Sequence, residues 1–218
     1  MSNKKLKISI QGLPASNSEN VTLRLYPNAD VKYCASFIEA INALGKNEVD
    51  LCILPYGNPL AGAVRERITR DWRPDTGNIL WPKEGEVFVV QKFLNDLHRY
   101  NLVQLEKHSH KITHCLVGLE DAEFSDIREV WSHPMAFVQC SAFMDAHNLG
   151  KHLYEDTAAA AKYVAAQGNK HFAAIADAKA ARKNGLKVLA SAIADIEPNF
   201  TDFVVFTKAE NEATIMHG

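Results

Sequence analysis

At 218 residues, with 47% hydrophobic and 23% charged side chains, the chain has the profile of a globular protein able to bury a full-sized core. Its formal net charge of -2 argues against a nucleic-acid surface, which needs clustered Lys and Arg. No apolar run reaches bilayer-spanning length, and the basic start Met1–Lys7 leads into a strand-like stretch rather than a secretory signal.

Apolar runs then alternate with helical patterns to the end of the chain. Lys7–Gln11 reads as a strand closed by Gly12, and Asn17–Tyr26 as a helix capped by Asn17 or Ser18. Val31–Cys34 is a short strand, followed by an amphipathic helix over Ser36–Leu44 with Phe37, Ile41 and Leu44 on one face. Leu51–Pro55 is fully apolar and suits the middle of a parallel sheet. Asp71–Glu86, with Trp72 and Trp81, is expected to form a long ordered loop over a cleft. Ile112–Val117 and Glu129–Ser132 are expected in a second sheet, and Pro134–His147 as a helix with Pro in its first turn. Thr157–Ala166 is an alanine-rich helix, Phe172–Ala176 a strand, and Ala178–Asn184 a helix closed by Gly185. Lys187–Ala190 and Asp202–Thr207 supply the last strands, with fraying from about Ala209. Cys34, Cys52, Cys115 and Cys140 are scattered among apolar residues and read as buried, reduced thiols of a cytoplasmic protein.

Polar groups gather where helices begin. Gly12-Leu13-Pro14-Ala15-Ser16-Asn17-Ser18-Glu19 is a hydroxyl-rich turn entering a helix, where free N–H groups suit an anion; simple capping is the competing reading. Ser132-His133-Pro134 sets a hydroxyl and an imidazole before a Pro-initiated helix, which suits a carboxylate. Gly57-Asn58-Pro59, taken alone, is a turn. His108, His110 and His114 have spacings that can converge on a metal, but no Cys, Asp or Glu completes a metal motif, and none is expected.

Taken in order, these blocks resemble the catalytic domain of the prephenate dehydratase family. Gly12–Glu19 stands for the family's G-P-x-G-T-F-S-E, with Ala15 in place of the second glycine. Leu54–Val64 resembles V-P-I-E-N-S-L-E-G-S-V, keeping Asn58, Leu60, Gly62 and Val64 but placing Gly57, Pro59 and Ala63 at polar positions. Ser132–Cys140 is similar to S-H-P-Q-A-L-x-Q-C, with Met135 for the first Gln. Asp156–Ala161 resembles S-T-A-x-A-A, and His171–Leu189 a later A-A-I-A…G-L-x-V-L stretch. Thr201-Asp202-Phe203 stands for Thr-Arg-Phe, so an acid replaces a cation.

The resemblance implies an α/β fold of the type II periplasmic-binding-protein kind, with two α/β lobes and a central interlobe cleft. Lobe one is expected at about residues 1–85 and 186–218, and lobe two at about 86–185. It implies a lyase that decarboxylates prephenate or a related cyclic acid, with loss of the ring hydroxyl to give phenylpyruvate left open. Thr201 and Thr157 are the expected catalytic hydroxyls; Ser16, Ser18, Asn58, Ser132, His133 and Phe203 are expected to bind substrate. No cofactor is expected; the expected partner is a small-molecule carboxylate, with a homodimer left open. The resemblance does not include the regulatory domain that binds phenylalanine in many dehydratases, so feedback by that route is not expected. Asp202 keeps two alternatives open, a non-dehydrating decarboxylase or secondary-metabolite (tropone-type) ring enzyme, and a catalytically silent acid binder. The fold's likeness to solute-binding proteins motivates the last of these.

Overall fold

The computed structural model describes residues 5–57 and 98–216; Asn58, Pro59, Ala63 and the Trp72–Trp81 loop lie outside the described residues. Among the described residues there are two five-stranded sheets, ordered β2-β1-β3-β10-β4 and β7-β6-β8-β5-β9. In the first, β1 (Lys7–Gln11) runs parallel to β2 (Asp30–Cys34) and β3 (Leu51–Gly57). β10 (Asn199–Lys208) inserts antiparallel between β3 and β4 (Leu102–Ile112). In the second sheet, β6 (Glu129–Ser132) runs parallel to β7 (Gly150–Leu153) and β8 (Phe172–Ala176). β5 (Cys115–Leu119) is antiparallel to β8 and β9 (Leu186–Ala190).

Both sheets are covered on both faces, as the alternation of side chains along a strand requires. Ile8, Ile10, Leu51, Ile53, Phe203 and Val205 form one cluster with Val21 of α1 (Asn17–Leu25). Cys52, Leu54, Val204 and Phe206 form another with Ala40, Ile41 and Leu44 of α2 (Phe37–Gly45). In the second sheet Val117, Ala174 and Trp131 face α5 (Thr157–Gln167) and α6 (Ala178–Lys183). Leu116, Val130 and Ile175 face α3 (Pro134–Gln139) and α4 (Ser141–Ala146).

Local sequence explains where the first helices start. Ser16 and Ser36 are the N-caps of α1 and α2, and their hydroxyls accept from the N–H groups of Glu19 and Glu39. Each glutamate reaches back to the residue before its cap, Ala15 at 2.7 Å and Ala35 at 2.9 Å. This is a near relative of the capping box. The cap of α1 is therefore Ser16, one residue before the candidates named from sequence.

Several boundaries differ from expectation. Ile112–Val117 is not one strand: Ile112 ends β4 in the first sheet and Cys115 opens β5 in the second. Consequently residues 102–112 lie in the first sheet and 186–190 in the second, so lobe one is not 1–85 plus 186–218. The chain crosses between the sheets at 112–115 and again between 190 and 199. The crossings are joined, with Ile193 N–H donating to the His114 carbonyl at 3.0 Å and Asn199 paired to Ile112. Pro134–His147 is two helices broken at Cys140. Beyond Ala209 the chain does not simply fray: α7 (Glu212–Met216) follows a short 3-10 turn, and Ile215 packs on the first sheet's core.

Candidate active site

The first lobe reaches the second through the turn that enters α1. Gly12 has φ +120°, a conformation that side chains rarely adopt. A Cβ placed there would lie 3.0 Å from Ser16 Oγ and 3.2 Å from Asp156 Oδ2, so the turn and the start of α5 converge on this glycine. Ala15 holds φ +73° where the resembling motif has glycine, and its methyl packs into the second sheet's cluster with Trp131 and Ala158. The lobes thus meet over Gly12, Ala15 and Ser16.

Acidic side chains sit at this junction. Asp156 caps α5, its Oδ1 accepting from Ala158 and Ala159 N–H at 2.7 and 2.9 Å. Burial raises its pKa; those two N–H groups pull it down, and Glu155 and Asp177 push it up again. Asp177 caps α6 by accepting from Ala180 N–H at 2.6 Å, while its other oxygen accepts from the Asn20 amide at 2.7 Å. Lys179 Nζ donates to Asn20 Oδ1 at 2.5 Å and lies 4.0 Å from Glu19. On Glu19, burial raises the pKa but is outweighed by the Tyr33 hydroxyl, the Ala15 N–H, Lys183 and Lys179, and the net result is a lowered value. The starts of α5 and α6 are therefore already occupied by the chain's own carboxylates.

The β10–β4 ladder divides the C-terminal triplet between two faces. Thr201 is opposite His110, and Phe203 packs with α1 in the core, 2% exposed, its ring edge-on to His110 at 6.2 Å. Asp202 projects to the other face, where it accepts from Ser109 Oγ at 2.5 Å and pairs with Lys107 at 2.8 Å. Lys107 and Ser109 hold its pKa low. Asp202 is thus a neutralised strand residue turned away from the face that carries Thr201.

Not every expected site residue joins this constellation. Ser16 and Asp156 come together at Gly12, with Thr157 the residue after Asp156 at the start of α5, and Thr201 lies near the start of β10, next to the second crossing. Ser18 is buried in the first turn of α1, its carbonyl accepting from Thr22. Ser132 is fully buried and its hydroxyl donates to the Ile175 carbonyl at 2.8 Å, joining β6 to β8 rather than facing a ligand. Phe203 is a core residue instead of a substrate contact. His133 caps α3, its Nδ1 accepting from Met135 N–H at 3.2 Å. Burial, reinforced by His114, lowers its pKa to about 4, so the ring is neutral with its proton on Nε2. The three histidines of the HxHxxxH spacing go to separate surroundings. His108 pairs with Glu106 at 2.5 Å, His114 with Gln139 at 2.7 Å, and His110 lies beside Thr201. Sequence reasoning missed Asn20, Asp177 and Lys179; the Asp-Ala pattern before an alanine-rich helix signals the cap but not its interlobe partner.

The prephenate dehydratase family profile matches residues 8–72 and 82–211. The chain belongs to the prephenate dehydratase family. Arogenate dehydratase 2 of Petunia hybrida is 30% identical over 204 residues, covering 94% of this chain and 45% of that protein. The arogenate dehydratase/prephenate dehydratase 1, chloroplastic, of Arabidopsis thaliana has the same identity and coverage, 30%, 94% and 45%. The chain therefore spans less than half the length of these curated relatives. Among solved structures, the prephenate dehydratase of Arthrobacter aurescens, in complex with L-Phe, superposes with a TM-score of 0.73 at 22% identity. That match covers 93% of this chain and 60% of the other, and shows a shared fold. No helix among the described residues is long and apolar enough to cross a membrane.

Within the prephenate dehydratase family, the resemblance places a cationic Arg after the catalytic Thr. Here that position is Asp202, already balanced by Lys107. At the junction itself, Lys179 is the cation in contact with the α1 turn residues Glu19 and Asn20.

Proposed function

We propose that this chain is a lyase that removes carbon dioxide from a cyclohexadienol carboxylic acid of the prephenate type and expels the ring hydroxyl as water. Membership of the family supports the reaction class. The observation that carries the reading is Thr201, a hydroxyl at the start of β10 on the α1 face, beside the crossing between lobes. As the ring carboxylate leaves as carbon dioxide, its bonding pair enters the diene and the para hydroxyl departs. Hydroxide leaves poorly, so a positioned donor must protonate it, and Thr201 is that donor. Excluding water from the ring carboxylate favours its loss, because a charge that is poorly solvated gains by dispersing into the ring.

A second reading concerns the substrate's side chain and rests on the carboxylates at the lobe junction. Glu19, Asp156 and Asp177 oppose a dianion, whereas an ammonium in place of the 2-oxo group gains from them. This favours an arogenate-type amino acid over prephenate, in keeping with the names of the plant relatives.

The test is to incubate the protein with prephenate and with arogenate separately, following carbon dioxide and ring products by mass. Aromatic product from either substrate, higher for arogenate, supports both readings. A decarboxylated product that retains its hydroxyl replaces the dehydrating reaction with the non-dehydrating one. Binding of either acid without turnover overturns the lyase reading in favour of a silent binder.

A further inference from the structure

The reaction proposed above consumes a proton that threonine cannot supply by itself. The carboxylate leaves as neutral carbon dioxide and gives its bonding pair to the ring. The ring C–O bond breaks, and the departing oxygen takes one proton to become water. Thr201 can pass that proton on, but its hydroxyl does not ionise near neutral pH and must be reloaded in the same event. The reloading group has to titrate near neutrality itself, which is the property of histidine.

We infer that His110 is the proton source that reloads Thr201 during expulsion of the ring hydroxyl. The two residues are directly opposite in the β4–β10 ladder. Opposed side chains in such a ladder share a face, with Cβ atoms about 5 Å apart. The His110 ring meets the core residue Phe203 edge-on, with ring centroids 6.2 Å apart. Its Nδ1 is buried and has no hydrogen-bond partner among the described residues. A buried polar atom without a partner calls for an explanation in the chemistry of its site. The neighbouring histidines are otherwise engaged, His108 with Glu106 and His114 with Gln139.

The relay balances as follows in atoms and charge. His110 Nδ1 is not hydrogen-bonded to Thr201 in this structure, so the relay requires the two side chains to close to hydrogen-bond distance around the substrate; the His110 proton then passes to Thr201 Oγ1 as the Thr201 proton passes to the leaving oxygen. Thr201 ends unchanged, His110 ends neutral, and solvent reprotonates it before the next turnover. The charged groups facing His110 are Arg24 on α1 and Asp177 at the start of α6. Burial lowers the His110 pKa, Arg24 acts in the same direction, and Asp177 opposes them. A substrate carboxylate in the cleft adds to Asp177 and raises the proportion of the protonated form.

The inference rests on the lyase reading, and its test separates the two. Rate profiles against pH are measured for the unmodified protein and His110→Gln, with prephenate and arogenate as probes. The unmodified protein is expected to lose kcat as pH rises through the His110 pKa in the complex. His110→Gln is expected to lack that limb, with kcat lowered ~100-fold and KM little changed, as for removal of a general acid. An unaltered limb and rate in His110→Gln, with Thr201→Ala impaired, overturns the relay and leaves the lyase reading standing. If the unmodified protein turns over neither probe, the lyase reading fails on its own. His110 is then judged by NMR titration of its ring in the unmodified protein and in Thr201→Val. A displaced midpoint supports coupling between Thr201 and His110, and an unmoved one overturns the relay.

Discussion

The Asn20 amide donates to the Asp177 carboxylate at 2.7 Å, tying helix α1 of one lobe to the cap of α6 in the other. Asp177 therefore does two jobs, since its second oxygen satisfies the Ala180 N–H. Replacing Asp177 with Ala removes a helix cap and an interlobe bond together, and is expected to cost about 1–2 kcal/mol. Asn20→Ala removes only the second and is expected to cost about 0.5–1.5 kcal/mol. Urea unfolding of both variants checks the order. Equal losses would mean that the interlobe bond carries the whole effect.

Thr201→Ala is expected to leave substrate affinity close to normal and to slow product formation ~100-fold or more, because it deletes the proton donor. Isothermal calorimetry with a non-reacting ring analogue and single-turnover rates separate the two effects. Weakened binding with an unchanged rate would assign Thr201 to recognition instead.

Asp202→Arg is expected to leave the affinity for a dianionic ligand unchanged. Comparison with Thr-Arg-Phe suggests that it would restore a lost cation, but Asp202 projects to the face opposite Thr201 and already pairs with Lys107 and Ser109. An arginine there meets Lys107, and the loss of a half-exposed pair plus like-charge repulsion is expected to cost about 0.5–1 kcal/mol. Calorimetry with prephenate checks the first statement and thermal unfolding the second.

His133 makes stability depend on pH in a defined direction. Its folded pKa, lowered to about 4 by burial and by His114, lies below the ordinary histidine value of 6.5. Between these values the unfolded chain binds a proton that the folded chain refuses, so stability is present above 6.5 and is lost as pH falls toward 4. The lowering from 6.5 to about 4 corresponds to about 3 kcal/mol. His133→Asn keeps a capping acceptor and removes the titration, so its stability should fall less steeply over that window. Denaturant midpoints at pH 7, 5.5 and 4.5 provide the comparison.

Much of the fold is legible in sequence because its strands and helices carry unambiguous periods. Leu51–Pro55 and Phe172–Ala176 are apolar runs buried on both faces, and Ser16 and Ser36 stand three residues before glutamates. β4 is illegible for the opposite reason. It is an edge strand, and its Glu106, Lys107, Ser109 and Lys111 leave no apolar alternation to detect. The break between Ile112 and Cys115 is hidden because only Thr113 and His114 separate two apolar stretches, too short an interruption to mark the change of sheet. The positions of Thr201 on β10 and of Ser16 at the turn into α1 are legible in local sequence, whereas the burial of the other expected site residues is not. Ser132 and Phe203 look alike in a motif and in the fold serve a backbone carbonyl and a core. Which face a strand residue takes depends on its partners, so the neutralisation of Asp202 by Lys107, ninety-five positions away in the chain, has no local signature.

The paired crossings have a mechanical consequence. Two independent linkers would let the lobes slide, twist and open separately. Here the linkers are laced together by the Ile193–His114 bond and the Asn199–Ile112 pairing, and behave as a single short ribbon. A ribbon bends readily across its width and resists shear along its length. Relative movement of the lobes is thereby expected to follow chiefly one coordinate, an opening angle. Thr201 and His110 sit on the same side of that axis, so their spacing is preserved while the acids of the opposite lobe approach or recede.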